Sequence, residues 1–254
     1  MRIITLAPAV VFLAGCVEDL KVIRLKPDGS GTILYTRRMK DWAIESVRKN
    51  KLVDEFTEEK ARERAAALGE VQFVSSEKAN APGWEGMTAT YSFNDVTKLK
   101  IEDSDSVFGL EKLPNGNRQL TVTSRFKPAK QDNSSAQLPE ETAKALLAGL
   151  KFRLAVEVDG KIVKCSSPHV EGPVLTVMEF DLDQLLAEEA RLKKKAAEDP
   201  ATLPEAKETI EALRLLQAIK GGDADPEEFS KAMLKIKGFK HALSPTVTLE
   251  FTPK

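Results

Sequence analysis

Leu13-Ala14-Gly15-Cys16 places two small residues directly before a thiol. Small side chains there let the backbone enter a narrow peptidase groove, which suits a cut between Gly15 and Cys16. The second cysteine, Cys165, has Lys164 and His169 as its nearest basic company in the sequence. That is too little to activate a nucleophile, so Cys165 reads as a small buried hydrophobe. Two Cys and two His do not make a structural zinc site without carboxylate help. His169 and His241 are isolated and read as surface or loop residues. Residues 27–33, Pro-Asp-Gly-Ser-Gly-Thr-Ile, resemble part of a calcium loop, but Lys26 and Arg37 would hold its first and twelfth positions. Cations at both ends repel the ion, and the segment reads as a Gly-rich hairpin turn. A strand pattern follows this loop and no Gly-Lys-Ser/Thr does, so it is not a P-loop. G-x-S-x-G, H-E-x-x-H and C-x-x-C are all absent. Asp181 and Asp183 read as helix-start residues. Arg191-Leu-Lys-Lys-Lys195 reads as a solvated helix face, with contact to anionic headgroups as the alternative.

The elements around Cys16 give it context. Residues 3–13 are nearly all apolar, broken by Thr5 and Pro8, and Arg2 is the single charge before Glu18. Such a run is too short to cross a bilayer as a helix, which needs about 20 residues. It fits the hydrophobic region of a signal peptide. With the small pair and Cys16 behind it, the segment resembles the lipobox of bacterial lipoproteins. The resemblance implies that the Cys16 thiol is alkylated with diacylglycerol and that residues 1–15 are removed. It also implies a membrane-tethered, extracytoplasmic protein, because no second apolar run of 18 residues follows. Val17 is not the Asp that marks inner-membrane retention in enteric bacteria, which favours the outer of two membranes. With Cys16 lipidated, Cys165 has no partner for an internal disulfide.

Bulk composition bounds the rest. The chain has 254 residues, 42% hydrophobic and 30% charged, with a net charge of −1. That balance describes a globular protein of one or two domains, neither disordered nor polytopic. It offers no basic field to recruit nucleic acid.

Periodicity predicts an α+β fold with a mostly antiparallel sheet. Residues 20–26 and 31–37 read as a hairpin. Met39, Trp42, Ala43 and Val47 fall at helical spacing. Thr57 caps a second helix, whose stripe is Ala61, Ala65 and Leu68, and Gly69 ends it. Residues 71–76 form a strand. Met87, Ala89, Tyr91 and Phe93 mark a half-buried one. Asn115-Gly116 joins residues 107–113 to 118–126 in a hairpin, with Leu120, Val122 and Phe126 on one face. Residues 127–137 read as a loop and 139–147 as a helix. Phe152, Leu154, Val156 and Val158 alternate up to Asp159-Gly160, a two-residue turn that predicts a hairpin with Val156 facing Val163 and Leu154 facing Cys165. Residues 174–180 form a further strand. Residues 181–238 read as three helices, the first with Leu182, Leu185 and Leu186 on one face. Val247, Leu249 and Phe251 then form a strand that cannot stand alone and must rejoin the sheet. The expected organisation is a leader at 1–15, an α+β domain at 16–180, a helical excursion at 181–238, and a strand in 239–254 that completes the domain.

Cys16, Val22, Ile23, Asp28-Gly29-Ser30-Gly31, residues 86–96, Phe152-Arg153-Leu154, Asp159-Gly160-Lys161-Ile162-Val163 and the strand at 174–180 occur in an order similar to a loose class of bacterial lipoproteins. That class includes the LppM-like proteins of actinobacteria. The likeness runs from Cys16 to Phe180, and the helices after Asp181 fall outside it. Members often carry an aromatic residue where this chain has Val177 and Met178. The resemblance implies fold and location and brings no catalytic residues or cofactor. The expectation is a non-catalytic binding module at the envelope, with its N-terminal lipid in the membrane and a protein or lipid partner. A carrier of an apolar ligand is the alternative, and a large apolar pocket would favour it over a filled core. An enzyme stands third, to be revived by convergent perturbed carboxylates or histidines in a cleft.

Overall fold

A computed structural model of the protein describes residues 17–49, 56–101, 106–123, 149–198, 239–241 and 246–254. The leader, Gly15, Cys16, the loop at 127–137, the helix expected at 139–147 and the two helices expected between 204 and 238 lie outside them.

β1 (Val17–Leu25) and β2 (Gly31–Lys40) form the first hairpin, as expected. Its turn is fixed by short-range chemistry. Gly29 donates to the Lys26 carbonyl at 3.0 Å, and the Asp28 carboxylate accepts from the Ser30 amide at 2.9 Å and hydroxyl at 2.8 Å. Gly31 must be glycine, because a Cβ there would sit 2.0 Å from the Arg24 carbonyl. Next come α1 (Asp41–Lys49), α2 (Glu58–Ala67), β3 (Val71–Lys78) and β4 (Trp84–Phe93). The Thr57 hydroxyl caps α2, accepting from the Lys60 amide at 3.2 Å. Ala61 and Leu68 of its expected stripe are buried. Met39 belongs to β2 rather than to α1; the residues α1 buries are Ala43 and Ile44, and Trp42 is exposed.

β7 (Lys151–Val158), β9 (Val170–Glu171), β10 (Val174–Asp181) and β11 (Phe239–His241) complete a large sheet in the order β11-β10-β7-β1-β2-β4-β3, with β9 on β10. Its pairs are antiparallel except β1 with β7. α3 (Leu182–Glu198) follows β10 directly and buries Leu185 and Leu192.

A second sheet has the order β5 (Val107–Lys112), β6 (Arg118–Thr123), β12 (Thr246–Pro253), β8 (Gly160–Cys165). The Asn115-Gly116 hairpin is present as β5 and β6. β12 rejoins strands that precede Asp181, lying between β6 and β8.

The hairpin expected at Asp159-Gly160 is not formed. Both edges of β7 are taken, by β1 and by β10. The Asp159 amide donates to the Leu25 carbonyl at 2.8 Å. The chain then leaves the large sheet, and Gly160 fits against the Thr252 carbonyl. Val156 opposes Ile23 and Leu175, Leu154 opposes Lys21 and Met178, and Cys165 opposes Leu249. Two alternating arms beside a tight turn reveal one buried face each, not that they pair with each other. Buried faces of the two sheets share one core, in which Ile23, Ile33, Tyr91, Leu154 and Val156 meet Leu120, Leu249 and Phe251.

Candidate functional site

β1 turns Asp19, Lys21, Ile23 and Leu25 toward one face, since strand side chains alternate. Ile23 and Leu25 belong to that core. Lys21 is 3% exposed and Asp19 18%. Burying a charge is costly unless it is paired and hydrogen-bonded. Here both conditions are met. The Lys21 ammonium donates to one oxygen of Asp19, and the Tyr35 hydroxyl donates to the other at 2.5 Å. The ammonium also lies 4.5 Å from the centre of the Tyr35 ring and 5.2 Å from that of Phe152, where ring quadrupoles attract a cation.

The strand registers bring these groups together. Lys21 opposes Tyr35 on β2 and Leu154 on β7, while Asp19 opposes Arg37 and Phe152. From α2, the Arg64 guanidinium lies 5.0 Å from the centre of the Tyr35 ring. α2 is held there by the Tyr91 hydroxyl, which donates to the Ala61 carbonyl at 2.9 Å. Burial, then the Asp19 charge and hydrogen bond, push the Tyr35 phenol far above its ordinary value, against smaller opposing effects of Arg37 and Arg64. Tyr35 therefore keeps its proton at neutral pH and serves as a fixed hydrogen-bond donor to Asp19.

Asp19 also faces a cleft of about 240 Å³, lined with it by Leu150, Phe152, Met178 and Phe180. The register places Phe180 opposite Phe152 and Met178 opposite Leu154. An ionised carboxylate has about four acceptor positions, and Lys21 and Tyr35 take two. The cleft can thus receive an apolar group and offer a further acceptor to an N–H or O–H on it.

Sequence reasoning did not find this site. The available signal was two charged residues, Asp19 and Lys21, in phase with the apolar positions of β1. Of the candidate site residues singled out from sequence, those the structure describes do not line this cleft. Cys165 is half-buried in β8, its thiol pushed up by burial, and the Ser167 amide donates to its sulfur at 3.4 Å. The His169 amide donates to the Ser167 hydroxyl at 3.2 Å, and His241 opposes Met178 on β11. Asp181 caps α3, accepting from the Gln184 amide at 3.1 Å, and Asp183 accepts from the Gly149 amide at 2.8 Å. In the basic run, Arg191 pairs with Glu188 at 2.6 Å and Lys194 with Glu198 at 3.9 Å. Among the described residues no His, Cys, Asp and Glu side chains cluster as a metal site, and no helix is long and apolar enough to cross a membrane.

No protein-family model and no curated protein matches the chain. The folded domain of Mycobacterium tuberculosis LppM, solved by NMR, is similar at a TM-score of 0.32 with 12% identity, over 66% of this chain and 84% of that one.

Proposed function

We propose that this chain is a lipid-anchored envelope protein, held on the extracytoplasmic side through Cys16, and that it is a non-catalytic binding module. Its contact site is the cleft beside Asp19, and the observation that carries the reading is this wall of four apolar side chains around one carboxylate fixed by buried donors. The network has the chemistry of a support. Asp19 and Lys21 neutralise each other, and Tyr35 keeps its proton. The leader pattern in residues 1–16 supports the location. Ligand pockets run from about 300 to 1,000 Å³. A smaller cleft suits one apolar side chain of a partner protein better than a whole carried ligand.

The test places a photoreactive benzoylphenylalanine at Phe180 in the lipidated protein, with Val107 on the far sheet as the control position, and irradiates native membranes. A protein adduct at position 180 and none at 107 is the expected result. A lipid adduct at 180 that also forms in detergent-extracted protein, away from the bilayer, would favour the carrier. Equal adducts at both positions, or none, would overturn the assignment of the cleft. Cys16→Ser in parallel should abolish the lipid mass and release the protein from the membrane; unchanged mass and partition would refute the anchor.

A further inference from the structure

Both tryptophans of the chain lie at one end of the large sheet. Trp42 is 51% exposed on the first turn of α1. Trp84 opens β4 opposite Lys40, whose ammonium lies 5.5 Å over its ring. At this same end Val17 opposes Met39, which opposes Glu85. Cys16 is one peptide bond ahead of Val17. Steps of about 3.8 Å along the chain and about 5 Å across the strand pair keep the Trp42 backbone within about 20 Å of Cys16. Phe152 and Phe180 of the cleft belong to this end too, because β7 begins and β10 finishes there. The other large apolar side chains exposed among the described residues, Val74, Val107 and Val163, are aliphatic; Val74 lies in mid-β3 and the two others on the second sheet.

Charge at this end is largely compensated. Arg38 pairs with Glu18 at 3.4 Å, Arg48 with Glu85 at 2.6 Å and Lys151 with Asp181 at 3.2 Å. Asp41 and Glu45 are exposed on α1. Attraction to anionic headgroups is therefore weak. Tryptophan favours the membrane–water boundary for its own reasons, an apolar ring with a polar N–H. A long cationic stem such as that of Lys40 can lie along apolar surface with its charge outward.

We infer that this end of the domain docks on the bilayer, with the Trp42 ring seated in the headgroup region. The partner is the lipid surface, and the inference rests on the reading of Cys16 as the lipid anchor. A tether with no linker holds Trp42 at high local concentration next to the membrane, so one indole is enough to set the orientation.

The experiment reconstitutes the full lipidated protein, and its Trp42→Phe variant, into phosphatidylcholine vesicles containing lipid brominated near the headgroup. Trp42 is exposed, so the variant folds, as circular dichroism would verify. The wild type should show at least about two-fold quenching of the Trp42 component, as fits a ring about 5–10 Å into the boundary. The effect should be unchanged by 0.5 M salt or by added anionic lipid, and Trp42→Phe should lose most of it. Equal quenching in wild type and variant, or none in protein that floats with the vesicles and carries the lipid mass on Cys16, overturns the docking inference alone. Protein that lacks the lipid mass and fails to float overturns both the anchor and the inference.

Discussion

Replacing Asp19 with Leu tests the buried network directly. The change removes the carboxylate between Lys21 and Tyr35 and leaves an ammonium that is 3% exposed against two aromatic rings. Breaking a buried ion pair from one side costs about 3–5 kcal/mol. Asp19 is itself 18% exposed, so water recovers part of that, and the low end, about 3 kcal/mol, is expected. With a urea slope of about 3 kcal/mol/M for a chain of this size, the unfolding midpoint should fall by about 1 M. Lys21→Met keeps the stem between the rings and deletes the charge, so it should cost well under half as much. The double variant should be more stable than Asp19→Leu alone, since it removes the buried ammonium together with its carboxylate. The assay is equilibrium urea unfolding, followed by circular dichroism, of the four proteins in a double-mutant cycle. Additive single effects, or an Asp19→Leu protein within about 0.5 kcal/mol of wild type, would show that Lys21 and Asp19 are not coupled.

Ending the chain at Ser244 removes the strand between β6 and β8, and with it Val247, Leu249 and Phe251 from the core. At about 1.5–3 kcal/mol for each buried side chain, the cooperative melt should be lost; a calorimetric transition at the wild-type midpoint would refute this. Cys165 should react slowly with a thiol reagent in the native protein and quickly in urea, because it is half-buried and burial holds its thiol up; equal rates would contradict its packing against the core. The Ser30 hydroxyl and amide hold the Asp28 carboxyl below its ordinary 3.8. A depressed folded value gives stability that is complete above 3.8 and lost as pH falls through the folded value. Asp28→Ala should therefore flatten the acid limb of a pH–stability curve below about pH 4, and an unchanged limb would count against the turn.

Strands with one buried face were legible in the sequence because alternation reports burial directly. Met87, Ala89, Tyr91 and Phe93 are all buried, as their spacing predicts. Turn chemistry was legible at Asp28–Gly31 and at Asn115-Gly116 for a similar reason: both act within a few residues. Pairing was less so. Alternation in β7 and β8 is the same whether they join each other or two different sheets, and the partners are distant: β1 lies 133 residues before β7, and β12 lies 84 to 93 residues after β8. The cleft was illegible on the same ground. Asp19, Phe152 and Phe180 are remote in sequence, and registers across three strands bring them together. Trp42 reads as a core residue by periodicity, yet α1 is short and turns Ala43 and Ile44 inward instead.

The parallel pairing of β1 with β7 has a consequence for how the protein assembles. Arg24 and Glu157, which meet across it at 2.9 Å, are 133 residues apart. The hairpins β1–β2, β3–β4 and β5–β6 each close over a few tens of residues or fewer and can form early. The seam between β1 and β7 must await a long loop closure, whose entropy is lost before any contact there compensates it. Until it closes, the free edge of β1 presents unpaired amides and carbonyls, the kind of template on which chains aggregate. Refolding should accordingly be slow and sensitive to protein concentration, and the variants that slow it most should lie along the seam, at Ile23 and Val156, rather than in the hairpin turns.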